Sequence, residues 1–169
     1  MTQENSSQQR LGVVISGSLN KGVEVKLEAQ ASVEDMAVGR YVTIEGQKRR
    51  FFSMVTDVSL GVSDQSLTLA PPDISDPFIV EVLSGTSTYG MLHVQSYLTI
   101  GGDASSILNG PQPVKTVPSH FSVVKLASDQ DIELVFGKAE DKERFWIGNP
   151  MDMETKLCLN LAELVKRSN

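Results

Sequence analysis

The chain has 169 residues, 40% of them hydrophobic, with 15 Lys plus Arg against 21 Asp plus Glu and a net charge of −6. That length suits one domain with a real core, and the acidic balance argues against a dedicated nucleic-acid module, which carries a basic excess. No stretch approaches the roughly 20 apolar residues of a membrane span, the polar N-terminus lacks the apolar region of a secretory signal, and a single cysteine, Cys158, leaves no internal disulfide framework; the expectation is a cytoplasmic protein.

Residues 1–10 have no apolar anchor and are read as a disordered tail. From Leu11 the pattern becomes short β segments. Leu11–Ser16 is apolar and β-branched, Gly17–Gly22 is a turn cluster, and Val23, Val25 and Leu27 alternate with Glu24, Lys26 and Glu28. Val38–Glu45 and Arg50–Leu60 read as a hairpin joined through Gly46-Gln47-Lys48. Ala70-Pro71-Pro72 stops the sheet pattern. Asp76-Pro77 then offers a helix cap followed by proline at the first helical position, predicting a short helix over Phe78–Leu83 that ends near Gly85. Tyr89–Ile100 reads as a long strand in which Leu92, Val94, Leu98 and Ile100 share one parity. Three glycines and three prolines make 101–118 a long loop. His120–Ala127 fits helix or strand. Asp129–Phe136 predicts a short helix capped by Asp129 and stopped by Gly137. Phe145–Gly148 reads as a closing strand, Leu157, Leu159 and Leu161 as the inward positions of a buried strand, and Ala162–Lys166 as a segment turning away. This spacing of strands and turns predicts a mainly β fold, a barrel or sandwich.

Residues suited to catalysis are scarce. His93 and His120 are the two histidines. His93 lies on the strand face opposite Leu92 and Val94, His120 sits near a turn, and no Gly-x-Ser-x-Gly elbow supplies a nucleophile. One cysteine and two distant histidines do not make a zinc cluster. Asp129-Gln130-Asp131 lacks the glycine and distal glutamate of a calcium loop, and 139–143 reads as a solvated run of mixed charge. Gly137-Lys138-Ala139 is not a phosphate-binding loop. No catalytic or metal residue is therefore assigned, and the chain is not expected to be an enzyme. One basic cluster, Lys48-Arg49-Arg50, stands at the proposed hairpin tip beside Phe51-Phe52. It suits phosphate contact without base reading; the plainer reading is a solvated tip that discourages edge pairing.

The C-terminal third carries a resemblance. Phe145-Trp146-Ile147-Gly148-Asn149-Pro150, then Leu157-Cys158-Leu159-Asn160-Leu161, then Leu164-Val165-Lys166-Arg167-Ser168-Asn169 resembles the junction in HerA-like ATPases of the FtsK/HerA superfamily, where a barrel hands over to a RecA-type motor. Leu11-Gly12-Val13-Val14 and the hairpin through Phe51-Phe52 resemble that family's N-terminal HAS-barrel. The resemblance implies a small closed β-barrel over 11–161, with one or two short helices, irregular insertions at about 70–88 and 101–118, and a linker at 162–169. It places Ile147, Gly148, Lys166 and Arg167 at the junction to a motor domain whose phosphate loop would be expected after Asn169. It also implies a hexameric ring of the chain with itself, a nuclease or other effector docked on the collar, and DNA in the channel near Lys48, Arg49 and Arg50. ATP and Mg²⁺ would belong to the motor, no cofactor to this chain. The alternative reading is a free-standing OB-like barrel gripping single-stranded nucleic acid; such barrels expose aromatics over a basic groove, whereas aromatics here are 6% and the charge is negative.

Overall fold

The period-two segments pair into nine strands among the described residues, 10–101 and 110–166, of the computed structural model. They are β1 (Arg10–Ser18), β2 (Gly22–Leu27), β3 (Tyr41–Glu45), β4 (Arg50–Val62), β5 (Thr88–Ile100), β6 (Gln112–Pro113), β7 (Val123–Leu126), β8 (Arg144–Gly148) and β9 (Leu157–Asn160). The same described residues hold four short α-helices, α1 (Ser66–Leu69), α2 (Pro77–Thr86), α3 (Asp129–Phe136) and α4 (Leu161–Lys166), and one 3-10 turn at Val33–Asp35. Six strands run β2-β1-β7-β3-β4-β5, and β5 returns to β2 through the pairs Val23–Val94 to Lys26–Met91. All of these pairings are antiparallel. The result is a closed barrel with no free edge at the seam. His120–Ala127, which fitted helix or strand, contributes β7 between β1 and β3.

The barrel interior is built from branched residues of every wall strand. Leu11, Val14, Val25, Val42, Ile44, Val55, Leu92, Val94 and Val124 are all at most 2% exposed. Two bulges in the β4–β5 ladder curve the wall. The first sets Phe52 opposite Leu98 but Ser53 opposite Ser96, leaving Tyr97 as the additional residue. Inward-facing parity therefore switches within β5. Leu92 and Val94 face the barrel core, whereas Leu98 and Ile100 join a second cluster outside it. The shared parity of these four residues in the sequence does not survive the bulge. Ser53 and Ser96 satisfy each other in the wall at 2.9 Å.

That second cluster is an outer layer on the β3–β4–β5 wall. Phe52, Ile100, Ala127 and Ile132 are buried there, with Tyr41, Val135, Phe136, Met153 and Leu157 packed against them. Ile132, Val135 and Phe136 come from α3. Its cap is Ser128, one residue before the expected Asp129: Ser128 accepts from the Asp131 N–H while the Asp131 carboxylate accepts from the Ser128 N–H, a capping box. Strands β8 and β9 pair only with each other. Phe145–Gly148 thus does not close the barrel, because β2–β5 pairing has already consumed the edge it would need. Within this hairpin Leu157 packs inward as expected, but strict alternation does not hold. Cys158 is buried at 1%, whereas Leu161, expected as an inward strand position, is 54% exposed and opens α4.

The remaining differences are local. Arg10, grouped with the tail, opens β1 and pairs with Glu28 at 2.5 Å; residues 1–9 lie outside the described residues. The helix expected over Phe78–Leu83 runs on to Thr86, with the Asp76 carboxylate accepting from the Phe78 N–H at 2.9 Å. Part of the 101–118 loop forms β6, which pairs with Leu98 and Thr99, while 102–109 lie outside the described residues.

Gly12 shows how tightly the wall is set. A Cβ there would lie 2.1 Å from the Lys26 carbonyl oxygen, which is backbone and has little room to yield. Gly12→Ala is expected to cost about 1–3 kcal/mol, read as a lower urea midpoint. An unchanged midpoint contradicts this β1–β2 register.

Candidate functional site

The basic cluster divides on folding. Gly46 and Arg49 close the β3–β4 turn through a 3.1 Å backbone hydrogen bond, and Lys48 and Arg49 are exposed at its tip. Arg50 enters β4, and its Nη1 donates to Asp131 Oδ1 at 2.7 Å. Asp131 is 3% exposed. Burial works to raise its pKa, but hydrogen bonds from Ser128 and the Arg50 guanidinium outweigh burial and hold the carboxyl below its usual value. Arg50 is thus the strap between the hairpin and α3, leaving two cations at the tip. Phe51 and Phe52, 3% and 2% exposed, face the barrel core and the outer layer respectively.

The histidines are far from one another in role. His93 Nε2 bonds the Lys21 carbonyl on the outside of the wall. His120 stands beside the exposed Phe121, ring centroids 6.2 Å apart. Among the described residues no group of three or more His, Cys, Asp or Glu is placed to hold a metal ion, and no helix is long and apolar enough to cross a membrane.

Of the residues the resemblance placed at a junction, Ile147 is 52% exposed beside Trp146 at 60% on β8. Gly148 ends the strand and accepts from Trp146 Nε1 at 2.8 Å. Lys166 lies on α4, paired with Glu163 at 3.0 Å; Arg167 falls outside the described residues. Leu161, Leu164 and Val165 of α4 are each more than half exposed. Arg144 holds the hairpin to the outer layer: it donates to the Phe136 carbonyl at the end of α3 and pairs with Asp141 at 3.3 Å.

A second surface went unread in the sequence. Beyond the barrel, Leu60–Val62 of β4 continues to pair with Thr88–Gly90 of β5, and the connection between them carries α1 and α2. On this arm Leu60 is 80% exposed, Leu69 87%, Ile74 74% and Phe78 69%. At its base an open groove of about 440 Å³ runs between the arm and β2, lined by Leu27, Val33, Leu60, Val62 and Tyr89. Lys26 Nζ lies 4.4 Å from the Tyr89 ring centroid at its rim. The apolar run Phe78-Ile79-Val80 is legible in sequence only as part of a short helix; the signal that it faces outward is the charge around it. Residues 57–87 contain Asp57, Asp64, Asp73, Asp76 and Glu81 and no basic side chain.

Comparison with known proteins adds one match. The HAS barrel domain profile matches residues 11–105, which takes in all but the first residue of β1 and the whole of β2 to β5. The C-terminal hairpin and α4 lie beyond the matched stretch. No curated protein matches the chain.

Proposed function

We propose a role whose premise is that this chain belongs to the HAS-barrel family. The barrel is the non-catalytic N-terminal assembly and partner-docking module of a HerA-like, ATP-driven DNA translocase, working as a collar over a hexameric motor in the cytoplasm. The observation that supports this reading best is the division of labour in the surface. The barrel is sealed on itself and filled with branched apolar side chains, while large apolar side chains are displayed on the β4–β5 arm and on the β8–β9 and α4 segment. Exposed apolar patches of that kind mark contact with other proteins. ATP and Mg²⁺ belong to the motor in this reading, and Ile147, Gly148, Lys166 and Arg167 to the link with it. A nuclease or similar effector would dock on the collar.

The test uses the chain and the gene product that carries it. The chain alone is expected to hydrolyse no ATP and to bind single-stranded DNA no tighter than the roughly 10⁻⁴–10⁻⁶ M of non-specific contact. The gene product is expected to form a ring and to hydrolyse ATP in response to DNA. Tight single-stranded binding by the chain alone would establish the free-standing nucleic-acid barrel instead. Within the gene product, Lys48→Glu with Arg49→Glu is expected to lower the slope of log affinity against log salt by about 2. An unchanged slope removes the tip from the DNA path.

A further inference from the structure

We propose that the arm formed by the outer ends of β4 and β5 with helix α2 docks a cationic, amphipathic helical segment of a partner protein. This deepens the docking role above and rests on it, naming the surface and the chemistry of its occupant.

The shape comes first. Helix α2 displays Phe78, Ile79, Val80 and Val82 at 37–69% exposure, and Glu81 is its one charged residue. A helix that is apolar on several sides is normally covered. Its ten residues span about 15 Å, enough to contact nearly three turns of a partner helix laid along it. The groove at the arm's base gives that partner a recess, and Gly90 lets its floor pack tightly: a Cβ there would collide with the Val33 and Leu27 side chains that lie against it. Apolar anchors set into a groove are the usual way a protein captures an amphipathic helix.

Charge then selects the occupant. The arm's charged side chains are four carboxylates, Asp64, Asp73, Asp76 and Glu81, with Asp57 beside it on the barrel wall. The Asp64 carboxyl is held below its usual value by hydrogen bonds from Ser66, and that of Asp73 by hydrogen bonds from Ser75, so both stay ionised through neutral pH and well into mild acid. An anionic lipid surface or a nucleic acid is repelled by such a field. A second copy meeting the arm through the same face would set four carboxylates against four, with Lys26 at each groove rim, already over the Tyr89 ring, as the nearby cation. A helix with an apolar face flanked by Lys or Arg satisfies both the apolar display and the field.

The probe is a fluorescein-labelled peptide of roughly 18 residues, five helical turns, built from Leu and Lys with one apolar face. Its counterpart has Glu in place of Lys. Binding to the whole chain is followed by anisotropy, and oligomeric state by sedimentation velocity. The Lys peptide is expected to bind at least about tenfold tighter than the Glu peptide, and less tightly at high salt. Phe78→Ser with Val82→Ser, both exposed positions, is expected to lose about tenfold or more of that affinity while keeping the parent circular dichroism and melting temperature. Val117→Ser with Phe121→Ser, on a different exposed patch, is expected to lose none. Equal binding of the two peptides, binding that the arm variant leaves intact, or no binding at all overturns the proposal. So does self-association abolished by the arm variant, which would assign the face to a second copy. Such a failure leaves the translocase reading standing, because that reading is decided by ring formation and ATP hydrolysis in the gene product.

Discussion

Phe52→Ala is expected to remove about 3–5 kcal/mol of stability and to lower the melting temperature by roughly 6–20 °C for a domain of this size. The reason is its position between two layers. Phe52 is 2% exposed on the outer face of the barrel wall. It stacks on Tyr41 with ring centroids 5.0 Å apart and meets Phe136 of α3 edge-on at 6.1 Å. Truncation opens a cavity at the contact that fastens α3 and the β8–β9 hairpin to the barrel, and aromatic pair energy is lost with the buried area. The barrel interior, a separate cluster of branched residues, is untouched. The outer layer should therefore loosen first. Cys158, 1% exposed on β9, reports on that event: its thiol should react with a disulfide reagent markedly faster in Phe52→Ala than in the parent, at denaturant concentrations where the barrel's far-ultraviolet dichroism is unchanged. A loss below about 1 kcal/mol, or thiol reactivity that tracks global unfolding in both proteins, would show that the two layers are not separable in this way.

The same two-layer arrangement explains what could and could not be read from the sequence. β1 to β5 are legible because period two, branched residues and glycine turns agree there. The sealing contact between β2 and β5 is not legible, since nothing in Val23–Lys26 or Met91–Val94 names the partner across the seam. Without it, Phe145–Gly148 looks like the strand that must finish the barrel. With it, the hairpin has no barrel edge to join and folds on itself. The bulge at Tyr97 is equally silent, because a single additional residue changes which face Leu98 and Ile100 serve while leaving the apolar alternation intact. At α3, Ser128 and Asp129 are both good caps, and the choice falls to Ser128 because Asp131 stands three residues on and completes the box. For the basic cluster, composition placed three cations together, and only the fold reveals that Asp131, far off in sequence, takes one of them. The arm's exposure was hidden for the opposite reason: Phe78 to Val82 has the composition of a core helix, and only the purely acidic surroundings hinted that it is not one.

Arg50 is where stability and function are entangled, and Asp131→Asn separates them. Asp131 receives the Ser128 N–H at 2.9 Å, the Ser128 hydroxyl at 2.7 Å and Arg50 Nη1 at 2.7 Å. Losing one partner of a buried pair is costly. The Arg50 side chain is 34% exposed and can turn to water, which places the expected cost of Asp131→Asn nearer about 2–4 kcal/mol at neutral pH. The pH dependence follows from the direction of the shift. The folded pKa lies below the unfolded value, so the carboxylate's contribution is fully present above about pH 4 and fades as pH falls through the folded pKa. The gap in urea midpoint between parent and Asp131→Asn should therefore be constant from neutral pH down to the unfolded pKa and narrow below it; a gap that stays flat into strong acid would mean the ionised pair is not what stabilises the strap. A double-mutant cycle with Arg50→Met is expected to give a coupling of roughly 0.5–3 kcal/mol. Such coupling would show that Arg50 is held by Asp131 before any phosphate reaches it. In the gene product, Arg50→Met should then lower stability while leaving the salt slope of DNA binding nearly unchanged, in contrast to Lys48→Glu with Arg49→Glu, because a guanidinium already neutralised at 2.7 Å releases few counterions from DNA.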